Sequence, residues 1–247
     1  MLAVPRHFPG RMAQIISVLG NKGGTGKTTI SHMLGHGLGL LGLRAVVAVT
    51  DTTREPLSRV GRRYLPVDAR RPDQLAKVAA TLHGVDGWIG VIDGGGGRLD
   101  VDDQLAPLST LVLLPFRDSH EDLRTVRKDL ERLPQAYAVP SQWPTNALAR
   151  DSAFRSLDAL LADFRDRIIP PVMALAATKL LLHLELPDLP SPLNAVCRGL
   201  ARHAALLIGI EVPNDETPIR KQGQGEIAVR TPARTRSLQH QAVAHAA

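Results

Sequence analysis

The stretch Gly20-Asn21-Lys22-Gly23-Gly24-Thr25-Gly26-Lys27-Thr28-Thr29 constrains this chain more than any other. It follows the apolar run Ile15-Ile16-Ser17-Val18-Leu19 and precedes a segment with helical spacing, so it reads as strand, glycine loop, helix. The glycines let the backbone curl until successive N–H groups converge into a nest for phosphate oxygens. A helix that starts at about Thr28 adds its positive dipole end to the same point. Lys27 supplies a full charge for the β- and γ-phosphates, and the Thr28 hydroxyl is placed to ligate Mg²⁺. Gly23, Gly24, Thr25, Gly26 and Thr29 complete the cradle. Residues 22–28 fit the x-x-x-x-G-K-[ST] part of the phosphate-loop pattern, with Asn21 at the place of the pattern's first glycine and Gly20 one residue before it.

The rest of the chain suits the α/β domain that such a loop requires. Its 247 residues are 44% hydrophobic but only 3% aromatic, so the core has to be built from Leu, Val, Ile and Ala. That composition fits a buried parallel sheet. Strands are expected at about 14–19, 45–49, 88–92, 111–115 and 136–139, with a short edge strand at 168–171. Helices are expected at about 28–41, 121–133, 151–167 and 192–210, and the region 56–82 is read as loop and helix. Alternation of this kind implies right-handed βαβ units: a mostly parallel central sheet with helices on both faces, in three α/β/α layers. Residues 1–12 read as an unstructured leader, with Met12 as an alternative start. The segment 13–212 reads as the phosphate-loop domain, and 213–247 as a disordered basic tail. No apolar run reaches the roughly 20 residues that span a bilayer, so no membrane insertion is expected. The single cysteine, Cys197, excludes an intramolecular disulfide framework and paired cluster ligation. It fits a reducing cytoplasm.

Two further features bear on chemistry. Asp93 ends the apolar run 88–92, at the carboxyl end of an expected strand, where a carboxylate holds Mg²⁺ through its water shell. Four glycines follow it, at 94–97, and read as a mobile switch. His32 and His36 are four apart on the first helix, but with no third ligand they read as solvent-facing or packing residues. Charge is concentrated in two zones. Residues 54–71 carry six arginines against Glu55 and Asp68, and residues 218–247 carry five basic residues against Glu226. Two basic zones on a near-neutral body point to a polyanion surface.

Lys22 lies inside the loop, and the run Lys-Gly-Gly-Thr-Gly-Lys-Thr-Thr resembles the deviant Walker A motif of the ParA/MinD family of P-loop ATPases. The resemblance covers roughly residues 13–175. It implies ATP and Mg²⁺ as cofactors, slow hydrolysis, and a homodimer formed on ATP binding, in which Lys22 reaches the partner subunit's nucleotide. It also implies that Asp51, which follows the run 45–50, orients the attacking water and joins the Mg²⁺ shell with Thr28 and Asp93. The family's Asp-x-Asp-Pro-Gln at this place is altered here: Val49 replaces the first aspartate, and Thr52 and Thr53 replace Pro-Gln. The segment 139–146 occupies the place where the family often has an asparagine near adenine, but the spacing does not match.

The resemblance implies a ParA-like partition ATPase, with non-specific DNA as one partner and a ParB-like protein as the other, in the cytoplasm at the nucleoid. The alternative is a relative that uses the same switch to position a protein cargo through an adaptor. A MinD-like membrane-surface role is disfavoured, because residues 233–247 offer only Leu238 and Val243 as large apolar groups.

Overall fold

Six short apolar runs become six parallel strands in the computed structural model, which describes residues 14–52, 55, 57–83, 85–95 and 99–212. In chain order the main elements are β1 (Gln14–Val18), α1 (Lys27–Leu40), β2 (Arg44–Val49), β3 (Leu65–Asp68), α2 (Pro72–His83) and β4 (Trp88–Asp93). There follow α3 (Leu99–Leu105), β5 (Leu111–Phe116), α4 (His120–Arg132), β6 (Ala136–Pro140), α5 (Ala147–Leu161) and α6 (Ser191–Leu207). The leader 1–12, Arg54, Gly96, Gly97 and the whole second basic zone lie outside the described residues.

The strand order is β3-β2-β4-β1-β5-β6, and every pairing is parallel. The connection leaving β1 runs toward β2, and the one leaving β5 runs toward β6. The crevice at the carboxyl ends of β1 and β5 is therefore a point where the chain's direction of winding parts, which is where open α/β sheets bind ligands. The register makes the carboxyl edge level there. Val18 and Val49 both lie beside Asp93, and Val18 also pairs with Leu113.

Side chains alternate across this sheet, and each face buries a separate core. Ile16, Val18, Val47, Val91 and Leu113 face α1 and α6. Ile15, Ala48, Ile92, Val112, Leu114 and Phe116 face α4 and α5, with Leu75 and Val78 of α2 at the margin. This is the expected three-layer α/β/α arrangement.

Helix α1 is buried on more than one side. Twelve of its fourteen residues are buried, including Ser31, His32 and His36, because it lies between the sheet and α6. Glycines make that fit. A Cβ on Gly35 would strike Val47 of β2, and one on Gly37 would strike the Cys197 carbonyl of α6. The two histidines hydrogen-bond within this packing, His32 Nδ1 with Tyr64 Oη at 2.8 Å and His36 Nε2 with Asn194 Oδ1 at 2.8 Å. Cys197 is buried at the same seam, and burial pushes its thiol up to about 12.

The structure departs from the sequence expectations at four places. Leu65–Asp68 is an edge strand rather than loop. A short helix, Leu99–Leu105, follows the glycine run. The helix expected to reach Arg167 stops at Leu161 and tightens to a 3-10 helix over Ala162–Arg167, with Phe164 outside helical dihedrals. Finally, the edge strand expected at 168–171 is reduced to a single bridge between Ala138 and Ile168.

Candidate functional site: the phosphate loop and its rim

The loop between β1 and α1 is shaped by three glycines with positive φ: Gly20 (134°), Gly24 (77°) and Gly26 (96°). Gly26 is the residue that caps α1, and a Cβ there would lie 2.7 Å from Ser141 Oγ. Only glycine meets both demands. Gln142, the one non-glycine residue with positive φ among those described, adjoins the same point from the end of β6.

Lys27 begins α1, and its ammonium turns back into the loop to donate to the Lys22 carbonyl at 2.7 Å. Burial lowers its pKa, while the nearby Asp102, Asp93 and Asp129 carboxylates oppose that shift. Thr28 is buried behind it. Asp93 is fully buried at the end of β4, and its carbonyl accepts from Thr50 Oγ1 at 2.6 Å. Asp51 follows two residues after Val49 in the adjoining loop and is half-buried. Thr28, Asp51 and Asp93 are therefore supplied by neighbouring parts of one carboxyl edge. These oxygen donors suit Mg²⁺, which keeps several waters and takes few protein ligands. Among the described residues no group of three His, Cys, Asp or Glu side chains stands ready to hold a metal without such help. A cavity of about 320 Å³ opens beside Thr28, bounded by His32, Val49, Glu55, Leu57, Leu182 and Leu184.

The opposite rim is set by the turn after β5. Ser119 caps α4: its hydroxyl accepts from the Asp122 N–H at 3.1 Å and donates to Asp122 Oδ1 at 2.7 Å. Acidic residues in a helix's first turn also complement its dipole. This places the buried Asp122 carboxylate at the mouth of the loop, where Lys22 Nζ reaches it at 2.8 Å and reaches Glu121 at 2.7 Å. The hydrogen bond to Asp122, then that to Glu121, raises the Lys22 pKa above the ordinary lysine range. Burial works against the Asp122 carboxylate, yet hydrogen bonds from Lys22, Ser119 and the Arg117 N–H outweigh it and hold its pKa below the usual range. Lys22 is thus tied to its own subunit in this structure.

No family model matches the chain, and no curated protein matches it in sequence. Solved structures do match. An McdA–ATP complex from Cyanothece superimposes with a TM-score of 0.60 at 16% identity, over 83% of this chain and 100% of that one. MinD of Pyrococcus horikoshii, complexed with Mg-ADP, gives 0.55 at 17%, over 80% and 98%. A plasmid partition protein from Borrelia burgdorferi gives 0.56 at 11%, over 79% and 100%. This chain has the ParA/MinD fold.

Within the ParA/MinD fold, the residues named from sequence divide into two groups. Lys27 feels the Asp93 carboxylate and Thr28 follows it at the start of α1, while the Lys22 ammonium lies on the far rim, on Asp122. Asp102 was missed by sequence reasoning. It comes from α3, is buried, and accepts from the Gly20 N–H at 3.1 Å. Burial pushes it up to about 6, although the Gly20 N–H and Lys27 pull the other way. Asp129 of α4 likewise accepts from Asn21 Nδ2 at 3.0 Å. No sequence pattern marks Asp102 or Asp129, whereas Asp122 is signalled by the Ser-x-x-Asp cap at residues 119–122. Asn146, the asparagine nearest the expected adenine contact, instead caps α5 by accepting from the Ala149 N–H.

The first basic zone is not one cationic face. Arg62 is buried and donates to the Ser58, Leu181 and His183 carbonyls and to Tyr64 Oη. Arg70 forks onto Asp68, and Arg71 pairs with Asp73. Arg59, Arg63 and Arg71 are the exposed arginines of the zone among the described residues. No helix of the described residues is long and apolar enough to cross a membrane.

Proposed function

We propose that this protein is an ATP-hydrolysing switch of the ParA kind, which dimerises on ATP and moves or positions a cargo. The observation that carries the reading is Lys22: a second lysine in the phosphate loop, at the rim and away from the nest that Lys27 enters. In this reading Lys22 serves the partner subunit's nucleotide once Asp122 releases it.

In this reading the loop amides and Lys27 bind the β- and γ-phosphates. Thr28 and Asp93 hold Mg²⁺, which neutralises phosphate charge. Asp51 orients the attacking water, and the partner's Lys22 stabilises the charge that develops on the phosphates. Gly23, Gly24, Thr25, Gly26 and Thr29 shape the cradle. Loss of the family's first aspartate to Val49 is expected to slow hydrolysis and to leave binding intact. Lys22→Ala keeps ATP binding and loses the ATP-dependent dimer. A variant that still dimerises fully on ATP overturns the cross-subunit role.

Non-specific DNA with a ParB-like partner is the first cargo reading. A protein cargo held through an adaptor is the second, and it is favoured by the way Arg62 and Arg70 are already engaged within the chain. Binding to non-specific duplex DNA with ATP, ADP or no nucleotide, over a salt series, separates them. Tight, salt-sensitive binding with ATP alone supports DNA. Dimerisation on ATP without DNA binding in any state supports the protein cargo.

A further inference from the structure

Lys22 is not the only cation at the rim. Arg117 lies one residue past β5. Its N–H donates to Asp122 Oδ2 at 3.0 Å, and its Nε approaches the same oxygen at 3.4 Å. Lys22 occupies the other oxygen, Oδ1. One buried carboxylate therefore gathers two cations at the mouth of the phosphate loop.

Arg117 also leans over the loop itself. A Cβ placed on Gly24 would lie 3.8 Å from Arg117 Nη2. The guanidinium thus spans from the β5 turn to the glycine bend. Its side chain is 40% exposed, and its Nη groups meet no acceptor among the described residues. Asp122 holds the Nε edge, which leaves the outer edge directed at the loop.

The nest and Lys27 already serve phosphates lying within the loop. A triphosphate brings one more phosphoryl group and additional negative charge to the rim. A planar guanidinium suits that load, because its parallel N–H groups match two phosphate oxygens at once. We infer that Arg117 binds the terminal phosphate of the nucleotide held by its own subunit and thereby sets the preference for ATP over ADP. This rests on the nucleotide reading given above.

The test is titration of the full-length chain with fluorescent ATP and ADP analogues in the presence of Mg²⁺. Arg117→Ala is expected to weaken ATP binding about tenfold and to leave ADP binding nearly unchanged, with Arg117→Lys recovering part of the loss. The loss should persist in a Lys22→Ala background, which excludes an indirect effect through tighter holding of Lys22. Equal losses for ATP and ADP, no loss in either, or a loss that vanishes with Lys22→Ala overturns the assignment to Arg117 and leaves the nucleotide reading standing. Wild-type chain that binds neither nucleotide overturns that reading itself, and Arg117's role with it.

Discussion

The contact between α1 and α6 makes a quantitative prediction from a single methyl group. Gly37→Ala adds a Cβ to a helix interior, where alanine is favoured over glycine by about 0.5–1 kcal/mol. Here that Cβ runs into the Cys197 carbonyl oxygen, and would lie 2.6 Å from its carbon and 2.8 Å from Ala201 Cβ. The obstacle is backbone of a packed helix, which cannot rotate away as a side-chain tip can. Overpacking of this kind costs roughly 1–3 kcal/mol, so the net effect is a loss of up to about 2.5 kcal/mol after the propensity gain. The control is Gly199→Ala in α6, where the added Cβ meets nothing within 4 Å. It should gain about 0.5–1 kcal/mol. Urea denaturation followed by circular dichroism, with the slope unchanged, reads both. Gly37→Ala at or above wild-type stability refutes the close packing. Gly199→Ala below wild type refutes the open helical site.

Arg62→Ala leaves the buried Leu181 carbonyl and the part-buried Ser58 and His183 carbonyls without their donor and should cost about 2–3 kcal/mol in the same denaturation curves, where a DNA-contacting arginine would leave stability unchanged. Asp102 predicts a pH effect of defined sign. Its folded pKa of about 6 exceeds the ordinary value of 3.8, so its ionisation costs stability above about pH 6, and the cost is relieved as pH falls toward about pH 4. Asp102→Asn should therefore gain on wild type at about pH 8, by on the order of 1 kcal/mol or more, with the gain shrinking toward about pH 4. A gain that grows on acidification refutes the burial argument. Cys197, with its thiol pushed up to about 12, should resist thiol reagents in the native chain and react at once in denaturant. Rapid native labelling contradicts its burial.

The phosphate loop was legible because its chemistry is local. Strand, glycines, Lys27 and Thr28 lie within fifteen residues, and the apolar runs around them set the sheet. β3 was not legible, because Leu65-Pro66-Val67-Asp68 is short, half-buried and contains a proline tolerated only at an edge. The rim was not legible for a different reason. Asp102 meets Gly20 from 82 residues away, and Asp122 meets Lys22 from 100 residues away. The Ser-x-x-Asp pattern at residues 119–122 announces a helix cap but not what the carboxylate will hold. Charge counting failed at Arg62 because a buried guanidinium satisfied by carbonyls and a solvated one look alike in sequence.

The burial of α1 also bears on how the molecule can move. Lys27 and Thr28 are mounted on a helix pressed between sheet and α6, with glycines removing the slack on both sides. Such an element behaves as the fixed jaw of a vice. Any change driven at the phosphates has to be taken up on the other side, by the turns after β4 and β5. Among the described residues, the segments after them meet the loop through the side chains of Asp102, Arg117 and Asp122. Motion in this protein should therefore be strongly one-sided, with α1 serving as the reference against which the rest is displaced.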